Sequence, residues 1–295
     1  MSELVDRIRH DWKIADAKRD AGLVTPDCIA RQDDIRYGSD ATWQKLDIYR
    51  PKDAAGALPV IVNVHGGAWV YGDKELYQFY SMDLARRGFA VVNFTYRLCP
   101  EFQFPAPVQD TDLVFRFIAA HAGEYGLDTE RLFAVGDSAG AHLLGLYLCA
   151  RADPGYAAAY PFEFEQTLSI KAAALNCGIY DTRLPDFPDK DLPLILKDFL
   201  PKGGSKEELE LISVTPHVTA ALPPLYVMTS TDDFLKDQAP PLVQALCDVN
   251  VPVSFRLYAA EDRKGGLYHT FHEDIRRKEA IACNDEECAF FKTFC

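Results

Sequence analysis

Gly136-Asp137-Ser138-Ala139-Gly140 sets one serine among small residues, just after the apolar run Arg131-Leu132-Phe133-Ala134-Val135. A serine hydroxyl acts as a nucleophile when a turn lifts it clear of the chain and a base stands beside it. The two glycines permit such a turn between a strand and a helix, because a Cβ at either place would collide with its neighbours. Attack on a carbonyl creates an oxyanion that needs donors already in place. His65-Gly66-Gly67-Ala68-Trp69, which follows the apolar run 60–64, offers backbone N–H groups in a loop of small residues. Each preorganised donor of this kind is worth about 3–4 kcal/mol in acyl transfer. The expected oxyanion-hole donors are Gly66, Gly67 and the N–H of Ala139, and His65 reads as a support that pins the loop.

In strand-turn-helix hydrolases the acid and then the histidine follow the serine along the chain. Ser230-Thr231-Asp232-Asp233-Phe234-Leu235-Lys236-Asp237 comes directly after the apolar run 225–229. Asp232 and Asp233 compete for the role of orienting acid; the other caps the turn or the next helix. Leu267-Tyr268-His269-Thr270-Phe271-His272-Glu273 supplies two candidates for the base. His269 lies nearer the preceding strand and the flexible Gly265-Gly266, whereas His272 looks like the start of a helix. The HxxH spacing lacks a third ligand, so neither a metal nor another cofactor is expected.

These residues need a scaffold that brings loop ends to one edge. Apolar runs at 60–64, 89–94, 131–135, 225–229 and 253–257 read as buried strands, and 34–37 and 46–49 as short strand-like pieces. Helical patterns separate them at about 74–88, 108–122, 139–151 and 238–249, and residues 1–30 look helical and amphipathic. Such alternation argues an α/β fold: a mostly parallel central sheet with helices on both faces. Residues 180–222, rich in Pro, Asp and Leu, read as a helical insertion.

The 295 residues are 48% hydrophobic and 25% charged, ordinary globular values for one large α/β domain. A net charge of −13 is poorly suited to nucleic acid or anionic lipid, and leaves small neutral substrates open. No run approaches the roughly 20 apolar residues of a membrane span, and the first residues show no apolar signal region. The eight cysteines form no CxxC pair, and Cys283, Cys288 and Cys295 have no matching histidine spacing for zinc. Reduced thiols and a cytoplasmic setting are therefore expected. The strand 253–257 near the end of the sheet admits pairing between two copies, a homodimer, unless its edge is covered.

Taken together, the motifs over residues 55–275 resemble the hormone-sensitive-lipase-like branch of the α/β-hydrolase superfamily. HGGAW is similar to its HGGG motif, with Ala68 for the third glycine. Thr95-Tyr96-Arg97-Leu98-Cys99-Pro100-Glu101 with Phe104-Pro105-Ala106 resembles its DYRLAPE…FPA segment. GDSAG matches its nucleophile elbow, and Leu222-Pro223-Pro224-Leu225 leading to Asp233-Phe234-Leu235-Lys236-Asp237 its LPP…DPLRD stretch. His269-Thr270-Phe271 resembles its HGF, with Thr270 for glycine. The resemblance selects Asp233 and His269 as partners of the nucleophile Ser138. It implies hydrolysis of small esters with short, acetyl-type acyl chains, without cofactor, under a cap built from about 1–40 and 180–222. Related proteins of this fold cleave amides or formamides, and some, such as the plant gibberellin receptor, hold a ligand without the histidine. About six extra residues between Asp233 and His269 depart from the family pattern. Leu184, Phe187, Leu192, Leu194, Ile195, Phe199 and Leu200 are the apolar side chains expected either to pack the cap on the core or to line an acyl or alcohol pocket.

Overall fold

The computed structural model describes residues 3–183, 189–261 and 266–295. Eight strands form one sheet: β1 Ile29–Arg36, β2 Lys45–Pro51, β3 Leu58–Val64, β4 Ala90–Phe94, β5 Leu127–Asp137, β6 Ile170–Asn176, β7 Leu225–Ser230 and β8 Val253–Tyr258. Their order across the sheet is β1-β2-β4-β3-β5-β6-β7-β8. β2 runs antiparallel to β1 and β4, and every other neighbouring pair is parallel. The described helices are α1 Glu3–Asp20, α2 Gln78–Ala85, α3 Ala106–Tyr125, α4 Ala139–Ala152, α5 Pro154–Ala157, α6 Leu192–Phe199, α7 Lys206–Leu211, α8 Ala239–Asp248 and α9 Lys278–Lys292.

The central parallel strands are mostly apolar where they cross the core, because each face there meets a helical layer. Along β3, Val60, Val62 and Val64 point into a core shared with α3, α4 and α8, while Ile61 points into the other, shared with α2 and α9. Phe133 and Val135 join the second core, and Leu132 and Ala134 the first. This period of two is the pleat itself.

Two elements were not legible. β6 reads Ile-Lys-Ala-Ala-Ala-Leu-Asn, a composition that favours helix over strand. Its alanines at 172, 173 and 174 are fully buried between α4 on one side and α9 on the other, where small side chains let both helices approach. α9 is the cysteine-bearing tail: Ala280, Cys283, Cys288 and Phe291 bury a helical stripe on the sheet. The N-terminal helix is shorter than expected. It ends at Asp20, and the chain turns through Gly22 at φ 82° into β1. Residues 29–36 thus belong to the sheet rather than to a cap. α6 and α7 occupy the expected helical insertion, which follows β6. No described helix is long and apolar enough to cross a membrane.

Candidate active site

Strand order brings the chemistry to one edge. β3 and β5 are neighbours at the centre of the sheet and β6 separates β5 from β7; the loops that leave β3, β5 and β7, with the loop after β8, face a common space. Ser138 sits between β5 and α4 at φ 51°, ψ −119°, a conformation that L residues rarely adopt. The glycines beside it are forced. A Cβ on Gly140 would lie 2.0 Å from the Val64 carbonyl oxygen, and one on Gly136 2.6 Å from the Gly140 oxygen.

His269 Nε2 lies 2.9 Å from Ser138 Oγ, and His269 Nδ1 lies 2.8 Å from Asp233 Oδ1. Asp233 is fully buried. Its Oδ1 also accepts from the Leu235 N–H at 2.8 Å, and its Oδ2 from the Thr229 hydroxyl at 3.0 Å. Burial alone would push this carboxyl up, but the His269 hydrogen bond and charge, with the Leu235 N–H and the Cys177 thiol, hold it below the usual aspartate value. Cys177, Asp233 and His269 cluster closely enough to suggest a metal, but the bonds to Ser138, Leu235 and Thr229 already occupy the histidine and carboxylate atoms.

The competing residues do other work. Asp232 is exposed, and its Oδ2 accepts from the Leu267 N–H at 2.7 Å, tying the histidine loop to the end of β7. His272 is buried and faces Tyr80, and burial pushes it down to about 3. His65 is likewise buried, held neutral at about 4, stacked on Tyr96 at 4.0 Å and bonded to the Gly66 carbonyl at 2.7 Å. It supports the loop, as its place beside the glycines suggested. Thr270 takes φ 55°, the left-handed conformation that the family's glycine would adopt without strain. Gly265, part of the expected flexible segment, lies outside the described residues; Gly266 takes φ 53°.

One oxyanion donor needs correction. The N–H of Gly66 donates to the Tyr77 hydroxyl at 2.9 Å, and a Cβ on Gly66 would lie 2.4 Å from Asp137 Oδ2, so this residue faces inward. Gly67, Ala68 and Ala139 line the cavity instead. The N–H groups of Gly67 and Ala68 have no acceptor among the described residues, and Ala139 begins a helix, where the N–H has no intrahelical partner. Gly67 is required for its φ of 108° and because a Cβ would meet the Tyr71 carbonyl at 2.0 Å. Trp69 fixes the loop from beyond. Its indole N–H donates to His142 Nδ1 at 3.2 Å, His142 Nε2 donates to the Ile212 carbonyl at 2.7 Å, and Phe199 stacks on the indole at 4.8 Å.

The cavity over Ser138 has a volume of about 460 Å³. α1 roofs it with Ile8, Asp11, Trp12 and Arg19, and α6 closes it with Leu192 and Ile195. The apolar side chains expected of the insertion divide accordingly. Leu192 and Ile195 line the space, Phe199 and Leu200 are buried as packing, and Leu194 is exposed. Leu184 and Phe187 lie outside the described residues. The sequence pointed to none of Arg19, Tyr77 and Glu273, which line the same cavity as Ser138. Tyr77 stands in a loop without a motif, and no local spacing announces it.

A family model described as BD-FAE matches residues 46–245, about two thirds of the chain. The chain belongs to the BD-FAE family. It is 30% identical over 213 residues to the probable carboxylic ester hydrolase LipM of Mycobacterium tuberculosis, covering 70% of this chain and 49% of LipM. It is 27% identical over 250 residues to the versiconal hemiacetal acetate esterase of Dothistroma septosporum, covering 81% of this chain and 74% of that protein. The chain thus spans about half the length of LipM and of several other curated relatives. Esterase B from Lactobacillus rhamnosis shares the fold with a TM-score of 0.89 at 24% identity, covering 99% of this chain and 95% of that one.

Proposed function

We propose that the protein hydrolyses small carboxylic esters with short, acetyl-type acyl chains through an acyl-enzyme on Ser138. The observation that carries this reading is the hydrogen-bonded line from Asp233 through His269 to Ser138, which ends beside unpaired backbone donors. In this reading His269 takes the Ser138 proton as the hydroxyl attacks the ester carbonyl, and Asp233 orients and stabilises the imidazolium. Gly67, Ala68 and Ala139 hold the oxyanion. His269 then protonates the leaving alcohol, and water releases the acid by the same steps in reverse.

A cavity of about 460 Å³ suits a small ligand rather than bulk lipid. The acetate esterase named among the relatives supports the acyl class, and the carboxylic ester hydrolase the reaction. The eight unpaired thiols support a cytoplasmic setting. β8 ends the sheet with Leu257 exposed, which supports a homodimer paired through that edge.

Ser138→Ala should lower kcat on p-nitrophenyl acetate by about 10⁴-fold or more. Near-native turnover by that variant would falsify the assignment. A panel of acetyl, butyryl and octanoyl esters beside an aryl formamide reads the acyl length and the preference for ester over amide. Labelling of Ser138 by a fluorophosphonate separates a hydrolase from a protein that only holds its ligand.

A further inference from the structure

Behind the nucleophile lies a buried cluster that the proposed mechanism does not use. Tyr77, from the loop before α2, is 3% exposed, Asp137 is 1% and Glu273 is 5% exposed. The Tyr77 hydroxyl lies 2.8 Å from Asp137 Oδ2, 3.2 Å from Glu273 Oε1 and 2.9 Å from the Gly66 nitrogen. It therefore joins three loops: the one carrying the oxyanion donors, the nucleophile elbow and the one carrying His269.

A tyrosine hydroxyl has one proton and two lone pairs. The Gly66 N–H occupies one lone pair, and the proton can go to only one carboxylate. The remaining lone pair faces the other carboxyl, and that contact is a hydrogen bond only if the carboxyl is itself protonated. Two ionised carboxylates on one buried hydroxyl would also repel each other with little water to screen them. The cluster is complete with one proton shared between the two acids.

The surroundings decide which acid keeps it. Glu273 Oε2 meets the Arg19 guanidinium at 2.5 Å, and Arg19 is held in turn by Asp16 and Asp20. Among the described residues Asp137 touches no cation, and its Oδ1 has no hydrogen-bond partner. His65, which faces Tyr77, and His272, which precedes Glu273 and faces Tyr80, are neutral through burial, and His269 is engaged by Asp233 and Ser138. Burial pushes both carboxyls up; at Glu273 the Arg19 charge pulls back, whereas Asp137, which also feels the charge of Glu273, goes well above the usual aspartate value against the pull of Tyr77, Gly66 and Arg19.

We propose that Tyr77 is a positioning residue that holds one proton between Glu273 and Asp137 and keeps Asp137 neutral beside Ser138. The neutral acid donates to Tyr77, Tyr77 donates to Glu273, and Arg19 on α1 anchors the ionised end. Two consequences follow for the ester reaction. The oxyanion loop, elbow and histidine loop are fixed in register through one atom. No carboxylate stands next to the serine where the oxyanion develops, a charge that would cost on the order of tens-fold in rate.

The inference rests on Ser138 being the nucleophile, and the two fail separately, because the Ser138→Ala assay does not report on the proton and the following measurement does not need turnover. Aspartates labelled with ¹³C at the carboxyl are observed by NMR in the unmodified protein at pH 7.5. One protonated aspartate is expected, lost in Asp137→Asn and displaced in Tyr77→Phe and Glu273→Gln. In turnover, Tyr77→Phe should lower kcat by about 10- to 100-fold with KM changed less than threefold. Asp137→Asn, the neutral isostere, should cost only about threefold. The absence of a protonated aspartate in the unmodified protein overturns the proposal whether or not any variant folds. So does an Asp137→Asn loss as large as that of Tyr77→Phe, since it would mean the charge is needed.

Discussion

The turn after β7 and the elbow after β5 each bury an aspartate at the same edge of the sheet, yet they treat it in opposite ways. Asp233 collects His269, the Leu235 N–H, the Thr229 hydroxyl and the Cys177 thiol, and is held ionised. Asp137 has Tyr77 on one oxygen, no partner among the described residues on the other, and a second acid beyond the tyrosine. Both are essentially removed from water, so burial does not distinguish them. The number of donors does, together with the sign of the nearest charge. In a site of this kind one carboxylate has to stabilise an imidazolium while the neighbourhood of the serine stays free of negative charge. Two different sets of hydrogen bonds meet those demands in one small volume.

The largest expected effect comes from making the same change at both aspartates. Asp233→Asn should lower kcat by about 10⁴-fold, because the amide favours the wrong tautomer of His269. At Asp137 the expected cost of the same change is small. Equal losses in steady-state assays would erase the contrast.

A third buried acid extends the comparison to stability. Glu287 on α9 accepts from the Asn176 side chain at 2.6 Å and meets Tyr80 at 3.4 Å, and burial raises it from 4.5 to about 7. Its folded value exceeds its unfolded one, so the folded state binds the extra proton between those values. Its contribution to stability is full below about pH 4.5 and is lost as pH rises through about 7, a change of about 3 kcal/mol. Chemical denaturation of Glu287→Gln at a series of pH values should show that much less fall across the window. An unchanged slope would mean that α9 does not bury this group as described.

Thr229→Val probes a single donor. It leaves Asp233 Oδ2 buried without its hydroxyl partner, which should destabilise the fold by about 1–3 kcal/mol and slow turnover modestly. If stability is unchanged, the remaining donors are sufficient by themselves. The smallest effect belongs to Asp232→Asn. The exposed amide can still accept from Leu267 through its oxygen, so kcat should stay within about threefold and stability within about 0.5 kcal/mol. A loss there as deep as that of Asp233→Asn would reverse the two roles.

The legible parts of this site were those with local causes. GDSAG could be placed from its glycines and flanking patterns, because the constraint on the elbow acts within five residues. The strands at 60–64 and 225–229 were plain because parallel strands buried on both faces are apolar at most positions. β6 was hidden by its alanines, whose strand conformation is imposed by the helices packed on either side. Asp232 and Asp233 are adjacent, and residue types alone could not separate them until the resemblance in the LPP…DPLRD stretch selected the second.

By itself the sequence determined the tight turn at Ser138 and most of the sheet that presents it, since turns and periodicity are short-range properties of the chain. Tertiary structure alone decided that Gly66 turns inward while Ala68 lines the cavity, and that Tyr77 meets Glu273 across 196 residues. It also decided which buried acids carry charge. Those outcomes depend on which donors strand order places around each group, and on how much water remains there to screen them.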